Sequence, residues 1–301
     1  MTRRFAAQWL GVGWIVTVGA ACGSRATTST TPTVAASATS TASATSTACP
    51  ENMIAIAAGR FSMGSTDGDD DEKPVHPASV QAFCIDRTEV TVAAYSACVR
   101  AGKCVAASMT VDWPRVTDAE RKMWSAFCNG DRADRQTHPI NCVDWAAADA
   151  YCRMAGKRLP TEEEWELAAR GTDGRGFPWG EATPGPKLLN GCGSECVAMG
   201  KGLGESWSAM YEADDGFPST APVGTFPAGA TPLGVLDMAG NVWEWTSSFL
   251  CSYADGKRCS AERVNRGSGW FNDFPPDARA TDRNDDPPTY RNRDVGFRCA
   301  R

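Results

Sequence analysis

Thirteen cysteines and only two histidines, His76 and His138, set the chemistry open to these 301 residues. A thiol can act as a nucleophile, a ligand for a soft metal or half of a disulfide. Two imidazoles cannot build a three-histidine zinc centre, and no Cys-x-x-Cys pair is present for metal–thiolate ligation. His138 stands close to Cys142, a proximity that suggests an activated thiol. Twelve cysteines remain once Cys22 is set aside, and an even number favours disulfides over that reading. No Gly-x-Ser-x-Gly elbow supports a serine hydrolase. Gly200-Lys201-Gly202-Leu203-Gly204 follows no strand and lacks Walker spacing, so it reads as a loop. A net charge of −6 argues against a nucleic-acid partner, which would require a basic face.

So many cysteines call for an oxidising compartment, and the front of the chain supplies a route to one. Arg3 and Arg4 precede an uncharged, largely apolar run from Phe5 to Ala21 that ends in Gly19-Ala20-Ala21. Residues 1–21 therefore read as a signal peptide. Cys22, directly after them, resembles the lipid-bearing cysteine of a bacterial lipoprotein, with Gly19 where such sites usually carry Leu. Residues 22–48, almost wholly Ser, Thr and Ala, read as a solvated tether. The folded part is expected over 49–301. Three of the 30 basic residues and none of the 36 acidic ones precede Cys49, so this part carries 27 against 36, a net of −9.

Several elements can be placed to hold the cysteines. Ile54–Ile56 and Gly59–Gly64 read as two short strands around a turn, and Ser79–Ile85 alternates toward another. Asp67–Glu72 reads as a solvated acidic loop, with calcium as its functional alternative. Thr91 caps a helix running to about Arg100 and stopped by Gly102. Asp144 caps Trp145–Met154, and the capping box from Thr161 to Glu164 opens a helix that ends at Gly171. Beyond Gly171 the composition predicts long loops held by aromatic residues, hence an irregular α+β fold. Cys98/Cys104, Cys192/Cys196 and Cys251/Cys259 each can close a short loop.

The segments "GRFSMGS", "DRTEVTVAAYSACVRAG", "GKRLPTEEEWELAARG", "FPWG", "TAPVGTFPAG", "DMAGNVWEWT", "VNRGSGW" and "VGFRCAR" occur in an order that resembles the sulfatase-modifying-factor family, whose best-known members are formylglycine-generating enzymes. The resemblance covers Met53 to Arg301. It implies a C-type-lectin-like α+β domain, loop-rich and disulfide-stapled. It also implies two structural calcium sites, one at Asn190, Gly191, Asp215 and Phe217, the other at Asp237, Gly240, Val242 and Glu244. Carboxylates and carbonyls from tight loops suit that ion. The family's structural disulfide falls on Cys152 and Cys299, and a second one on Ala169 and Ala280, where both partners are missing. The other ten cysteines then pair most simply as neighbours: Cys49–Cys84, Cys98–Cys104, Cys128–Cys142, Cys192–Cys196 and Cys251–Cys259.

The family's oxidase chemistry rests on two cysteines that bind copper(I) just after the segment matching Arg266–Trp270. Here those positions fall on Asn272 and near Asp277, neither of which is a soft ligand, so copper is not expected. What the resemblance leaves is a peptide groove with Trp243, Arg266, Trp270, Arg279 and Arg283 as candidate anchors. The expectation is an exported, membrane-anchored lipoprotein of the bacterial cell envelope that binds a peptide or protein ligand without oxidase chemistry. An oxidase with a divergent site and a purely structural envelope component are the alternatives.

Overall fold

The computed structural model describes residues 48–301, so the stretches expected to be a signal peptide and a tether, with Cys22 between them, lie outside the described residues up to residue 47. Four short strands come first: β1 (Met53–Ile56), β2 (Gly59–Met63), β3 (His76–Val80) and β4 (Phe83–Asp86). β1 and β2 do not form a hairpin with each other. β1 pairs antiparallel with β4, and β2 with β3. The stretch expected as one strand over Ser79–Ile85 is divided between β3 and β4, so each of the first two strands finds its partner farther along the chain.

The helices start where capping side chains stand. Thr91 accepts a hydrogen bond from the Ala94 amide at the head of α1 (Val92–Arg100). Thr117 and Glu120 form a capping box for α2 (Asp118–Ser125). Asp144 caps α3 (Trp145–Met154), and Thr161 with Glu164 boxes α4 (Glu162–Arg170), which stops at Gly171 with φ +67°. α5 (Ser194–Gly202) follows Gly193. α2 and α5 fall outside the helices expected from sequence. A four-stranded sheet lies in the region expected to be loops: β5 (Trp243–Cys251), β6 (Cys259–Arg266), β7 (Arg283–Asp286) and β8 (Val295–Gly296), in the order β7-β6-β5-β8. Only the β5–β8 pair is parallel.

α4 is central to one core cluster. Trp165, Leu167, Ala168 and Ala169 pack with Phe61, Met63 and Val80 from β2 and β3. The helix also buries Glu162, Glu164 and Glu166, which is tolerable only because cations come to meet them. The fully buried Arg266 at the end of β6 pairs with Glu166 and lies 3.6 Å from Glu162. It also donates to the carbonyls of Thr281 (2.8 Å) and Asp282 (2.7 Å). Arg283 takes Glu162 bidentately at 2.6 and 2.9 Å. These ion pairs tie α4 to the 266–283 stretch on which the candidate site is built.

Six disulfides close the remaining loops: Cys49–Cys84, Cys98–Cys104, Cys128–Cys142, Cys152–Cys299, Cys192–Cys196 and Cys251–Cys259. They are the neighbour pairs together with the pair implied by the family resemblance. Ala169 and Ala280 are both fully buried in the α4 cluster, so apolar contact stands where that resemblance places a second disulfide.

Candidate functional site

The segment after β6 turns sharply. Gly267 has φ +97°, and a Cβ there would press on the Trp165 ring; Ser268 follows with φ +59°. Trp270 is fully buried and donates its indole N–H to the Arg293 carbonyl at 3.2 Å. Asn272 then uses both ends of its amide. Its Oδ1 accepts from the Gly269 amide (2.9 Å) and from Trp243 Nε1 (3.0 Å), and its Nδ2 donates to Asp277 Oδ2 at 2.7 Å. The two positions to which the resemblance assigns copper thiolates thus hold a carboxamide hydrogen-bonded to a carboxylate. Burial pushes the Asp277 carboxyl above its ordinary range, opposed by the Asn272 hydrogen bond. All twelve cysteines among the described residues are in disulfides. The donor set therefore does not fit copper(I), which requires soft ligands.

The candidate groove anchors need correction. Arg266, Trp270 and Arg283 are buried and engaged inside the molecule, not presented to a ligand. Arg266 and Arg283 are drawn in by the glutamates of α4. Trp270 is drawn into an aromatic cluster with Phe127, Trp207 and Phe271. Arg279 pairs with Glu72 at 3.0 Å and keeps 21% of its side chain exposed. Trp243 is 9% exposed, with its indole N–H spent on Asn272. The large apolar side chain that this segment does present is Phe274, 56% exposed.

The two sets expected to hold calcium are neighbours. Asn190 Nδ2 donates to Asn241 Oδ1 at 3.1 Å, and the Asn241 amide donates to the Asn190 carbonyl at 2.8 Å. Gly240, φ +80°, sits against that carbonyl so closely that a Cβ would overlap it. In the first set Asn190 Oδ1 is buried without a partner. Asp215 Oδ2 accepts from the Tyr211 hydroxyl at 2.6 Å, and Oδ1 accepts from the Phe217 amide at 2.8 Å. Burial raises the Asp215 carboxyl to about 7, because these neutral donors do not offset its charge.

In the second set Arg298 donates to both Glu244 oxygens at 2.6 Å and to the Asp237 carbonyl at 3.0 Å. Trp165 Nε1 adds a hydrogen bond to Glu244 at 2.8 Å. The Gly224 amide donates to Asp237 Oδ2 at 2.6 Å. Glu89, from the "DRTEVTV" segment, is a further member that the sequence reading missed. Its Oε1 accepts from Asn241 Nδ2 at 3.0 Å, and its Oε2 is buried without a partner. Burial, then the charge of Asp237, pushes Glu89 well above its usual range. Glu89, Asp237 and Glu244 face the single guanidinium of Arg298. Two oxygens stay orphaned, Glu89 Oε2 in this set and Asn190 Oδ1 in the first, but Arg298 already takes both Glu244 oxygens, and among the described residues neither set brings three acidic side-chain oxygens within 4.8 Å of one another.

Residues 38–301 match the model of the sulfatase-modifying factor enzyme 1-like domain. The chain is 33% identical over 285 residues to the inactive C-alpha-formylglycine-generating enzyme 2 of Bos taurus, spanning 83% of this chain and 87% of that protein. It is also 33% identical over 305 residues to the formylglycine-generating enzyme of Streptomyces coelicolor, spanning 82% and 88%. The solved structure of PvdO from Pseudomonas aeruginosa superposes with a TM-score of 0.58 at 28% identity, over 83% of this chain and 93% of that one.

Proposed function

The chain belongs to the sulfatase-modifying factor family, and from that premise we propose that it is a non-oxidase member that binds a peptide or protein ligand. One observation carries the reading. Asn272 and Asp277 hydrogen-bond to each other where the family's resemblance requires two thiolates, and every described cysteine is tied up in a disulfide. Neither side chain can cycle a soft metal or form a disulfide with a substrate cysteine. The inactive bovine relative shows that the sequence similarity extends to proteins named as lacking the activity. Exposed Phe274, between the two altered positions, supports apolar contact with a ligand on this face.

Calcium belongs to the proposal as a structural ion. Bound at Asn190, Gly191, Asp215 and Phe217, or at Asp237, Gly240, Val242 and Glu244, it would fix the loop that carries Asn241 ahead of β5. The chain's export and its anchorage to the cell envelope through a lipid on Cys22 also belong to it, supported by the disulfides, which suit an oxidising compartment.

The test is aerobic incubation of the purified protein with a Cys-x-Pro-x-Arg peptide and copper(I), read by mass spectrometry for the aldehyde. The expected result is no conversion above the protein-free control, with no titratable thiol in the folded domain. Enzymatic conversion, or two free thiols with bound copper, would instead establish the runner-up, an oxidase with a divergent site. The Streptomyces enzyme is the similarity that favours this runner-up.

A further inference from the structure

Asp67–Glu72 holds five acidic residues in six positions, and a solvated loop is what such a run normally makes. The structure departs from that at its last residue. A short 3-10 turn over Asp70–Glu72 swings Glu72 inward until its side chain is fully buried. Oε1 accepts from the Asp69 amide at 2.9 Å and from Arg279 Nη2 at 3.0 Å, while Oε2 has no partner at all. Gly68 borders this carboxylate so closely that a Cβ would overlap it. Asp282 approaches from the far end of the sequence, buried beside the Arg266 ion pairs. One oxygen each from Asp69, Glu72 and Asp282 lie within 4.8 Å of one another.

Three carboxylates here lie near two guanidiniums, Arg279 and Arg266, the second already paired with Glu166 and near Glu162, and a fourth acid, Asp277, stands near enough to raise Asp282. An interior does not leave such charge uncompensated: it takes up a proton or a cation. Ligands at 2.3–2.6 Å from a calcium ion can stand up to about 5 Å apart across it, so three oxygens at this spacing fit one shell. All three donors are hard oxygens, which excludes a preference for copper(I). Asp69 is exposed, leaving that side open for water to complete the coordination.

We propose that Asp69, Glu72 and Asp282 form a hard divalent-cation site, suited to calcium, that clamps the acidic loop onto the segment carrying Asp277. This site is separate from the two sets described above and does not depend on the non-oxidase reading. Arg283 Nη1, which donates to the Asp71 carbonyl at 2.6 Å, joins the same two stretches from the other side. A cation here would fix the edge of the face on which Asn272, Phe274 and Asp277 lie.

The experiment is equilibrium dialysis of the full chain with radioactive calcium, comparing wild type with Asp69→Asn, Glu72→Gln and Asp282→Asn, and with Asp237→Asn as a separate control. Each of the first three substitutions is expected to remove one calcium equivalent or weaken it at least 10-fold. Asp237→Asn is expected to affect a different equivalent, so that Asp69→Asn combined with Asp237→Asn loses both. Because Asp69 is exposed, Asp69→Asn remains decisive if a buried variant fails to fold. If Asp69→Asn binds the same number of calcium ions as wild type with the same affinity, the proposal is overturned, whatever Asp237→Asn does. Loss in Asp237→Asn alone would place calcium in the family set and a proton between Glu72 and Asp282.

Discussion

At the scale of single residues, the buried His138 and the partly buried Asp286 have shifts that oppose each other. Burial, then the neighbouring Arg135 cation, pulls the His138 imidazole down to about 4. Between that value and the unfolded one near 6.5, only the unfolded chain takes the proton. The stability that neutral His138 confers is therefore complete above about 6.5 and is lost as pH falls toward 4. Burial raises Asp286 to about 7, against hydrogen bonds from Asn265 and Asn284, both 2.9 Å. Here only the folded chain holds the proton between about 3.8 and 7, so stability is lost as pH rises through that window. Each slope is at most about 1.4 kcal/mol per pH unit, and the two cancel where they overlap. Denaturant titrations from pH 4.5 to 6.5 should show His138→Gln gaining stability relative to wild type as pH falls, and Asp286→Asn losing it. Profiles parallel to wild type would refute both assignments. The same scale shows the limit of a sequence reading. The positions of Asn272 and Asp277 could be read off a motif, but Glu89 could not. A lone carboxylate ahead of a helix cap looks like a surface residue until the fold brings it to Asp237 and Arg298.

At the scale of elements, the legible parts were those whose signals are local. α1, α3 and α4 announce themselves through Thr91, Asp144 and Thr161, each capping within three residues. β6 and β7 carry sequences such as CSAERVNR and RNDD, with no apolar alternation to mark them. Their stability comes from partners distant in sequence and from buried ion pairs such as Arg283–Glu162, so composition alone made them loops. The same distinction applies to the covalent staples. Cys152–Cys299 spans a sequence separation of 147 and joins α3 to the C-terminal stretch after β8, whereas Cys192–Cys196 spans 4 at the start of α5. Loop-closure entropy alone gives about 5 kcal/mol for the first and about 2 kcal/mol for the second. Replacing Cys152 and Cys299 together by Ala should therefore destabilise the protein far more than replacing Cys192 and Cys196 together. Urea unfolding of the two double variants measures the difference, and equal losses would show that loop length does not govern these bonds.

At the scale of the whole molecule, charge, covalent chemistry and location constrain one another. Twelve described cysteines in six disulfides suit a compartment where thiols are oxidised, which is compatible with the proposed export. From Cys49 onward the chain carries 36 acidic residues against 27 basic ones, so its overall charge repels an anionic lipid surface. Among the described residues no helix is long and apolar enough to cross a membrane. The proposed attachment is through Cys22, which lies outside the described residues. A single acyl chain holds a protein only marginally, whereas two or more hold it stably. Expressed in a bacterium that processes lipoproteins, wild type should enter the detergent phase on Triton X-114 partition, and Cys22→Ser should stay in the aqueous phase with its disulfides intact. A Cys22→Ser protein that still enters the detergent phase would mean that the apolar run from Phe5 to Ala21 is retained as the anchor. Wild type in the aqueous phase would mean simple secretion. In either case the acidic domain would reach its ligand without a lipid on Cys22, and the anchoring part of the proposal would fall while the reading of Asn272 and Asp277 stood.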